Sequence, residues 1–442
     1  MGPAFLDRLR SIVGPQHLLT GVELSPYVLE GRSPEAAAFP GSVEETSAIL
    51  ALASGEGVPI TPWGGGTKMG LGTAPQRLGL VLGLKRLSRL LEHEPGDLTA
   101  TVQAGMTLEA LQVTLGRHGQ WLSLDPPFSG RATLGGILAT NASGPRRHLY
   151  GTARDLLIGI TVVEADGCVI HGGGKVVKNV AGYDLPKLYV GSFGTLGVIA
   201  ELTVKLRPLP DDDRLVLVGF ERLEECDRAA RLLMGSDLIP SAVELLDGEA
   251  LGGLGLAEGD GSGLLIGFDG PPEQVAWQAE ETARLFSGLG MTRHRLLAGT
   301  AREEAWRAVR EIGRRVFPEP AAVVKIGVRS TQVAEIVQRG AGMARKNGLR
   351  AAFGAHFAMG IVTGVLASDR GSAKPVVATI KEWRELVRST GGHLALEWAP
   401  LAVKEQVAAW DPPGPEFKIM ERLKAKLDPK GILNPGRFVG GI

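Results

Sequence analysis

Cysteine is scarce in this sequence: among 442 residues, only Cys168 and Cys226 occur. Two thiols are too few for a disulfide framework, a cysteine-rich metal site or an iron–sulfur cluster, and they favour a reducing compartment. An excess of charge is also missing, because 48 lysine and arginine residues balance 48 aspartate and glutamate residues. The resulting formal net charge of zero argues against a large nucleic-acid-binding surface.

Long apolar runs are missing as well. No uncharged stretch reaches the ~18 residues of a transmembrane helix, and the N-terminal MGPAFLDRLRSIVG lacks the apolar centre of a signal peptide. The sequence therefore predicts a cytoplasmic protein, with any attachment to the inner membrane made through partners.

Glycine, by contrast, is abundant at 62 residues, and two glycine-rich segments stand out. The first, ITPWGGGTKMGLG, covers residues 60–72; the second, ATLGGILATNASGP, covers residues 132–145. Gly64, Gly65 and Gly66 can adopt positive φ, so that consecutive amides converge on phosphate oxygens. A triple glycine by itself is more often a tight turn after a buried strand. Two such segments together predict backbone loops that bind one large anionic ligand with a diphosphate.

Two common nucleotide-binding motifs do not fit these segments. The first glycine segment follows a short strand but has no obvious helix after it, which disfavours a Rossmann fingerprint and NAD. A Walker loop is also disfavoured, because GGGK at 172–175 precedes Val176, where Ser or Thr would be needed to bind magnesium.

The order of the predicted elements divides the chain into three regions. A strand at 201–206 followed by PLPDDD marks the end of a first domain, 1–210, which contains a hairpin at 157–171 turning at Asp166-Gly167. Region 211–400 reads strand, helix, strand, strand, helix, strand, the order of a ferredoxin-like sandwich. The tail, 401–442, ends in a helix stopped by Asp428-Pro429 and a turn-rich strap. No internal repeat is evident.

Taken in order, these segments resemble the flavin-binding family of vanillyl-alcohol oxidase, p-cresol methylhydroxylase and the D-2-hydroxyacid dehydrogenases. The matching motifs are the segment 40–70, DPP at 125–127, the segment 132–167, the segment 178–208, and LDPKGILNPGRF at 427–438. The resemblance covers nearly the whole chain. It implies an α+β fold: a two-subdomain FAD-binding domain of the p-cresol methylhydroxylase (PCMH) type, a ferredoxin-like cap domain, and a C-terminal strap that returns to the FAD domain.

The resemblance also implies which residues bind FAD. Backbone amides of residues 63–67 would hold the diphosphate, the second glycine segment would close the other side, and Val198 and Ile199 would present backbone groups to the ring systems. The full expected set is Pro62, Trp63, Gly64, Gly65, Gly66, Thr67, Lys68, Gly70, Pro126, Thr133, Leu134, Gly135, Gly136, Thr140, Asn141, Ser143, Gly144, Val198, Ile199 and Asn434. No histidine lies beside the first segment, where family members with covalent flavin often carry one, so a non-covalent FAD is expected.

The C-terminal half departs from the metal-dependent hydroxyacid dehydrogenases of this family. In AHFAMGIVT, His356 keeps the first expected histidine, but Met359 and Thr363 replace the acid and the second histidine. In GGHLALEWAP, Glu397 remains and Trp398 stands where a histidine is expected. One imidazole and one carboxylate do not complete a divalent-metal site, so no metal is predicted. His356 and Glu397 stay as catalytic candidates, although a lone histidine near apolar residues is more often structural.

The combination of flavin-binding motifs with an altered metal motif resembles the sequence of the E-type flavoprotein subunit of bacterial glycolate oxidases. That resemblance implies a second FAD-binding subunit and an iron–sulfur subunit as partners, with a small 2-hydroxy acid as substrate of the complex. Two alternatives stay open. One is a free-standing FAD-dependent 2-hydroxyacid dehydrogenase, in which Arg146, Arg147 or Lys325 pairs with the substrate carboxylate. The other is a structural subunit that has lost FAD.

Overall fold

The computed structural model describes residues 1–175, 183–257, 261–369 and 371–442. The start of the predicted motif at 178–208, and Val176, therefore lie outside the described residues. The chain forms two compact units. The first contains Met1–Ser143, Thr152–Leu209 and Pro412–Ile442; the second contains Gly144–Gly151 and Pro210–Asp411. Within the described residues, no helix combines the length and the apolar character needed to cross a membrane.

The strands are given first, in chain order. They are β1 (Leu18–Leu19), β2 (Ala36–Ala38), β3 (Ile60–Trp63), β4 (Leu80–Gly83), β5 (Leu90–Glu94), β6 (Thr99–Gln103), β7 (Gln120–Trp121), β8 (Leu157–Val163), β9 (Val169–Gly173), β10 (Val198–Lys205), β11 (Arg207–Pro208), β12 (Asp212–Phe220), β13 (Ala242–Leu246), β14 (Ser262–Gly270), β15 (Met291–Leu297), β16 (Ala322–Gly327), β17 (Arg350–His356), β18 (Ile361–Ala367) and β19 (His393–Trp398).

The α-helices follow the same order. They are α1 (Pro3–Val13), α2 (Val43–Glu56), α3 (Leu108–Gly116), α4 (Leu134–Thr140), α5 (Arg147–Tyr150), α6 (Ala153–Leu156), α7 (Leu185–Tyr189), α8 (Leu223–Met234), α9 (Gly248–Gly253), α10 (Pro272–Leu285), α11 (Gly299–Arg310), α12 (Ile312–Arg315), α13 (Val333–Lys346), α14 (Ala373–Ser389), α15 (Leu401–Lys404) and α16 (Phe417–Leu427).

The first unit contains two sheets with separate cores. A four-stranded sheet in the order β1-β2-β4-β3 has a parallel centre and packs with α1 and α2 around Leu9, Ile49 and Leu82. A five-stranded antiparallel sheet in the order β5-β6-β10-β8-β9 packs with α3 and α4. This is the two-subdomain architecture that the sequence predicts for the FAD-binding region.

Helix α2 illustrates how local sequence sets these elements. Ser42 Oγ accepts a hydrogen bond from Glu45 N (3.2 Å), as the N-cap half of the predicted capping box requires. The Glu45 carboxylate accepts from Gly41 N (2.7 Å), the residue before the N-cap, and not from Ser42 N. The helix ends at Gly57, whose φ of 67° is the left-handed conformation that glycine adopts at low cost. The predicted helix start at Ser42 is confirmed.

The second unit is built on one eight-stranded antiparallel sheet in the order β15-β12-β14-β13-β17-β18-β16-β19. Its first half, β12-α8-β13-β14-α10-β15, is the predicted ferredoxin-like motif. Its second half, β16-α13-β17-β18-α14-β19, repeats that connectivity and strand order. The two halves join where β13 pairs with β17, at Glu244–His356, Leu245–Ala355 and Leu246–Gly354. The sequence interpretation found no internal repeat, yet the topology is duplicated, because connectivity can repeat without visible repetition of residues.

The two faces of this sheet carry different cores. One face packs against α8, α10, α13 and α14, around residues such as Phe220, Phe353 and Trp383. The other face packs in part against α9, α11 and α12, around Leu246, Trp306 and Val365. Cross-strand partners point to the same face of a sheet, so Glu244 and His356 share the second face at the join between the two halves.

Candidate functional site

An open cleft with an empty volume of about 740 Å³ lies within the first unit. Six parts of the chain line it: the first glycine segment, Leu84 just after β4, helix α4 with its N-cap, the turn before β10, the start of β10, and the C-terminal strap. The lining residues are Pro62, Trp63, Gly64, Gly65, Gly66, Thr67, Lys68, Met69, Leu84, Thr133, Gly135, Gly136, Ala139, Thr140, Phe193, Gly194, Gly197, Val198, Ile199, Asn434 and Arg437.

Most of the residues expected from sequence therefore lie around one cleft. Those that do not line it are Gly70, Pro126, Leu134, Asn141, Ser143 and Gly144. Leu134 is buried in the core instead, because successive residues of a helix are rotated by about 100° and so face different directions. Gly144 belongs to the second unit. The sequence interpretation missed Met69, Leu84, Ala139, Phe193, Gly194, Gly197 and Arg437.

The three consecutive glycines serve two different geometric needs. Only Gly66 has a positive φ (71°). A Cβ on Gly65 would overlap the carbonyl oxygen of Arg131, and one on Gly64 would overlap Oγ1 of Thr133. The expectation of positive φ at Gly64 and Gly65 is thus wrong. Gly65 needs to be glycine because its backbone packs against the backbone of Arg131, and Gly64 because it packs against the Thr133 side chain.

The second glycine segment forms a helix start and not an open loop. Thr133 is the N-cap of α4, and its Oγ1 accepts from Gly136 N (3.4 Å). Leu134 N donates to Met106 O (2.9 Å) and Gly135 N donates to Ala104 O (2.8 Å). These two amides already have protein acceptors, so they are not free to bind a ligand. The segment lines the cleft with Gly135 and Gly136 and with Thr133, Ala139 and Thr140.

The C-terminal strap forms part of the cleft through Asn434. Its backbone N donates to Ile60 O (2.8 Å), and its side-chain Nδ2 donates to Phe193 O (2.6 Å). Asn434 is in the left-handed conformation and is 6% exposed. Within the described part of the chain, its Oδ1 is buried without a hydrogen-bond donor. A buried acceptor of this kind is expected to have a partner, and a ligand with hydroxyl or N–H groups would supply one.

Arg437 connects the strap to the first glycine segment. Its Nη2 donates to Met69 O (2.8 Å) and Leu71 O (2.9 Å), and the residue is 2% exposed. Burial lowers the pKa of its guanidinium to about 10, and the charge of Glu30 acts in the opposite direction. The LNPGRF motif could have indicated Arg437, because it lies three residues after Asn434.

A buried ion pair holds the strap in place behind Asn434. Lys424 Nζ, on α16, donates to Asp428 Oδ2 (2.6 Å), Thr195 O (2.8 Å) and Leu433 O (2.9 Å). The Asp428 carboxylate also accepts from Ile432 N (3.0 Å) and Leu433 N (2.8 Å). Burial lowers the pKa of Lys424, while Asp428 raises it. The ammonium group, the carboxylate and the backbone groups of this turn are thus hydrogen-bonded to one another.

The residues around the cleft fit a flavin dinucleotide. The glycines leave room for close backbone approach, Lys68 and Arg437 bring positive charge, and Asn434 Oδ1 offers a buried acceptor. These are the features that a diphosphate and a polyhydroxylated chain require.

In the second unit, His356 is bound to a buried carboxylate. Its Nδ1 lies 2.7 Å from Glu244 Oε1 and 2.9 Å from Oε2. The side chain of Glu244 is 2% exposed and that of His356 is 18% exposed. Glu244 was not expected from sequence, because AVELL reads as an apolar strand in which one glutamate carries no motif.

The other basic candidates differ in their surroundings. Arg146 forms an ion pair with Asp213, which also pairs with Arg302 (3.1 Å). Tyr150 donates to Asp269 in the same region. This network engages the Arg146 guanidinium within the protein and weighs against its pairing with a substrate carboxylate. Arg147 lies on the same short helix, α5.

Glu397 and Lys325 lie on neighbouring strands of the same sheet. Lys325 on β16 pairs in register with Thr363 and with Ala395. Glu397 lies at the irregularity of β19, and the Arg314 guanidinium stacks over Trp398 (4.4 Å). Glu397 and His356 are thus on strands separated by β18 and β16. Among the described residues, no group of three or more His, Cys, Asp or Glu side chains is arranged to bind a metal.

Comparison with known proteins gives two family matches that together span most of the chain. Residues 34–173 match the FAD binding domain family, and residues 209–438 match the C-terminal domain of FAD linked oxidases. The glycolate oxidase subunit GlcD of Bacillus subtilis is 31% identical, over 92% of this chain and 89% of that protein. A D-lactate dehydrogenase of Archaeoglobus fulgidus is 32% identical, over 90% of each chain.

Solved structures show the same fold. An alkyldihydroxyacetonephosphate synthase aligns with a TM-score of 0.78 at 19% identity, over 99% of this chain and 86% of that chain. A substrate-bound p-cresol methylhydroxylase aligns with a TM-score of 0.76 at 20% identity, over 98% and 96% of the two chains. The predicted PCMH-type α+β fold is therefore confirmed.

Proposed function

Because this chain belongs to the FAD-linked oxidases, we propose that it is an FAD-dependent dehydrogenase of small 2-hydroxy acids, working as a subunit of a glycolate oxidase-type complex. The single observation that carries the proposal is the cleft of the first unit, whose glycine walls and strap fit the cofactor of the family. The substrate class is supported by the names of the two relatives, a glycolate oxidase subunit and a D-lactate dehydrogenase.

The cofactor and the protein have separate tasks in this proposal. When bound, FAD accepts two electrons from the substrate, which protein side chains cannot do. Residues 63–67 and Lys68 would hold its diphosphate, and Asn434 would accept a hydrogen bond from it. Gly135, Gly136, Val198 and Ile199 would line its path. The cofactor is proposed to be non-covalent, since no histidine or cysteine belongs to the cleft lining.

The cofactor proposal is tested by acid precipitation of the purified chain. Release of about one FAD per chain into the supernatant is expected. Flavin that stays with the denatured pellet would contradict non-covalent binding, and a colourless protein that does not take up added FAD would favour a structural subunit.

The proposal also states that the chain works as one subunit of a larger complex. It rests on the subunit designation of the Bacillus subtilis relative and on the sequence resemblance to the E-type subunit, both of which indicate an assembly. The expected partners are a second FAD-binding subunit and an iron–sulfur subunit, because this chain has only two cysteines and needs an electron acceptor. Any membrane contact would then be made by the partners.

The experiment is co-expression of a tagged chain with the products of neighbouring genes. A stable complex that contains flavin and iron, and that reduces an acceptor with glycolate or D-lactate, is the expected result. A chain that purifies alone and turns over at the rate of the full set would favour a free-standing dehydrogenase.

A second candidate is an electron-transfer subunit with no hydroxyacid site of its own. The replacement of metal ligands by Met359, Thr363 and Trp398 favours it. In that case the isolated chain would bind FAD without being reduced by any 2-hydroxy acid, and reduction would appear only after the second flavoprotein subunit is added.

A further inference from the structure

The eight-stranded sheet of the second unit ends in two edge strands, β15 and β19, which are treated differently by the chain. The outer side of β19 is covered by the segment that follows it: Leu396 N donates to Ala409 O (2.8 Å), and Leu394 N donates to the Asp411 carboxylate (2.8 Å). In the part of the chain that the structure describes, no backbone group is hydrogen-bonded to the outer side of β15. The β15 edge therefore offers main-chain donors and acceptors to another strand.

The β15 edge is also basic. The strand has seven residues, Met291–Leu297, and carries Arg293, His294 and Arg295 in succession at its centre. Among the described residues, no acid forms an ion pair with any of these three side chains. A chain whose formal net charge is zero thus presents at this edge a strip of positive charge that its own acids do not neutralise.

The side chains of β15 alternate between the two faces of the sheet. Arg293 and Arg295 share one face with Leu217 of β12, the cross-strand partner of Arg295. His294 and Leu296 point to the other face, and Leu296 is 47% exposed. A strand added at this edge would meet a positive charge at every second residue on one face and an exposed apolar side chain on the other.

A second copy of this chain does not match that pattern. Antiparallel pairing of two copies centred on His294 would place Arg293 of each copy directly opposite Arg295 of the other. Like charges directly opposite one another destabilise a strand pair, whereas opposite charges stabilise it. A partner strand with acidic residues at alternate positions and apolar residues between them matches both faces of β15.

We propose that the β15 edge is a docking site for an extended acidic segment of a partner protein, which adds a strand to the sheet. Main-chain hydrogen bonds along the edge give the segment its affinity, and Arg293 and Arg295 select acidic side chains on one face. The same charges keep the edges of two copies from pairing. This inference is independent of the proposed dehydrogenase activity.

The first test measures the binding of labelled heptapeptides to the full FAD-loaded chain by fluorescence anisotropy at low salt. A peptide of alternating glutamate and valine is the probe, and peptides with glutamine or lysine in place of glutamate are its controls. The acidic peptide is expected to bind about 3- to 30-fold more tightly than the glutamine peptide, with the preference fading at high salt. Equal binding of all three peptides, or no binding of the acidic one, would overturn the proposal.

Variants assign the preference to this edge. Arg293→Gln combined with Arg295→Gln should abolish it, and Arg293→Glu combined with Arg295→Glu should reverse it in favour of the lysine peptide. Arg345→Gln combined with Lys346→Gln removes two exposed positive charges from α13 and is the matched control, which should bind like wild type. Flavin content and thermal unfolding confirm that each variant is folded. A preference for the acidic peptide that survives in both folded β15 variants would show that it binds elsewhere.

Hydrogen exchange locates the bound peptide on the wild-type chain. Exchange of the amides of 291–297 should slow when the glutamate peptide is added and should not change with the lysine peptide. Slower exchange only at other segments would overturn the proposal. So would two further results: slowing of these amides with rising protein concentration together with a dimer, which identifies a second copy, and slowing by phosphatidylserine vesicles but not by the peptide, which identifies a membrane surface.

Discussion

At the scale of single residues, burial changes the pKa of Asp247, although nothing in the sequence around this residue indicates an unusual carboxyl group. It caps α9 by accepting from Ala250 N (2.8 Å). Burial raises the pKa of its carboxyl to about 7, although its hydrogen bonds act in the opposite direction. Between pH 4 and pH 7 the unfolded chain loses this proton while the folded chain keeps it. The contribution of Asp247 to stability is therefore present at low pH and is lost as the pH rises through 7.

Asp247→Asn should remove this pH dependence. Asparagine keeps a side-chain oxygen that can cap the helix but has no charge to bury. At pH 8 the variant should exceed the wild-type free energy of unfolding by about 1–2 kcal/mol, with the difference vanishing near pH 4. Urea unfolding across this pH range measures it, and a variant that is less stable at pH 8 than at pH 5, relative to wild type, would contradict the assignment.

Other single residues were beyond the reach of sequence. Glu244 and Arg437 are each fixed by contacts with residues more than a hundred positions away, namely His356 and the carbonyl groups of Met69 and Leu71. Their importance comes from burial and partner geometry, which local pattern does not encode. His356 was found because it stands in a motif, but its partner could not be.

At the scale of elements, substitution of two cleft glycines distinguishes the effect of backbone packing on stability from the effect of the cleft surface on ligand binding. Gly65→Ala places a Cβ against the Arg131 carbonyl oxygen, so it should push two backbone segments apart and destabilise the first unit by at least ~2 kcal/mol. Gly136→Ala meets no backbone, only Thr133 Oγ1 at 3.1 Å, so the unit should stay folded while the added methyl group projects into the cleft and weakens FAD binding.

Thermal unfolding of the apo form and FAD titration measure the two effects separately. Gly55→Ala in α2 is the control, since nothing lies within 4 Å of its Cβ; it should be neutral or slightly stabilising in both assays. Tight FAD binding by Gly136→Ala would argue that the cofactor does not run along α4.

Elements with strong local signals were predicted from the sequence, and elements defined by long-range contacts were not. Local causes in caps, turns and periodicity account for the N-cap of α2, the hairpin of β8 and β9, and for α8, β13 and α10. The sequence treated 132–145 as a loop because of its glycines, yet residues 134–140 are helical. Tertiary hydrogen bonds from Leu134 and Gly135 to Met106 and Ala104 hold that helix in place despite its weak propensity.

At the scale of the whole molecule, the C-terminal end of the chain completes the first unit. A parallel β-bridge joins Leu433 to Ile60, the first residue of β3. The ion pair of Lys424 and Asp428 holds the turn that leads to Leu433. The cleft therefore needs residues from both ends of the chain. Asn434 could be predicted from its motif, but this closure depends on contacts between residues more than 200 positions apart.

Breaking the Lys424–Asp428 ion pair should weaken the contact between the C-terminal strap and the rest of the first unit. Asp428→Ala leaves the Lys424 ammonium buried and removes the acceptor of Ile432 N and Leu433 N, so a loss of about 3–5 kcal/mol and weak FAD retention are expected. The double variant Lys424→Met, Asp428→Leu should recover part of that stability, because it no longer buries an unpaired charge. Chemical denaturation checks both; equal losses in the single and double variants would contradict this role for the pair.

The proposed dehydrogenase function is tested most directly by anaerobic mixing of the FAD-loaded chain with D-lactate or glycolate, followed by stopped-flow absorbance of the flavin. Two-electron reduction of the flavin by a 2-hydroxy acid is expected, and it should persist in the presence of a chelator. A flavin that stays oxidised with every 2-hydroxy acid, in the isolated chain and in the assembled complex alike, would contradict it.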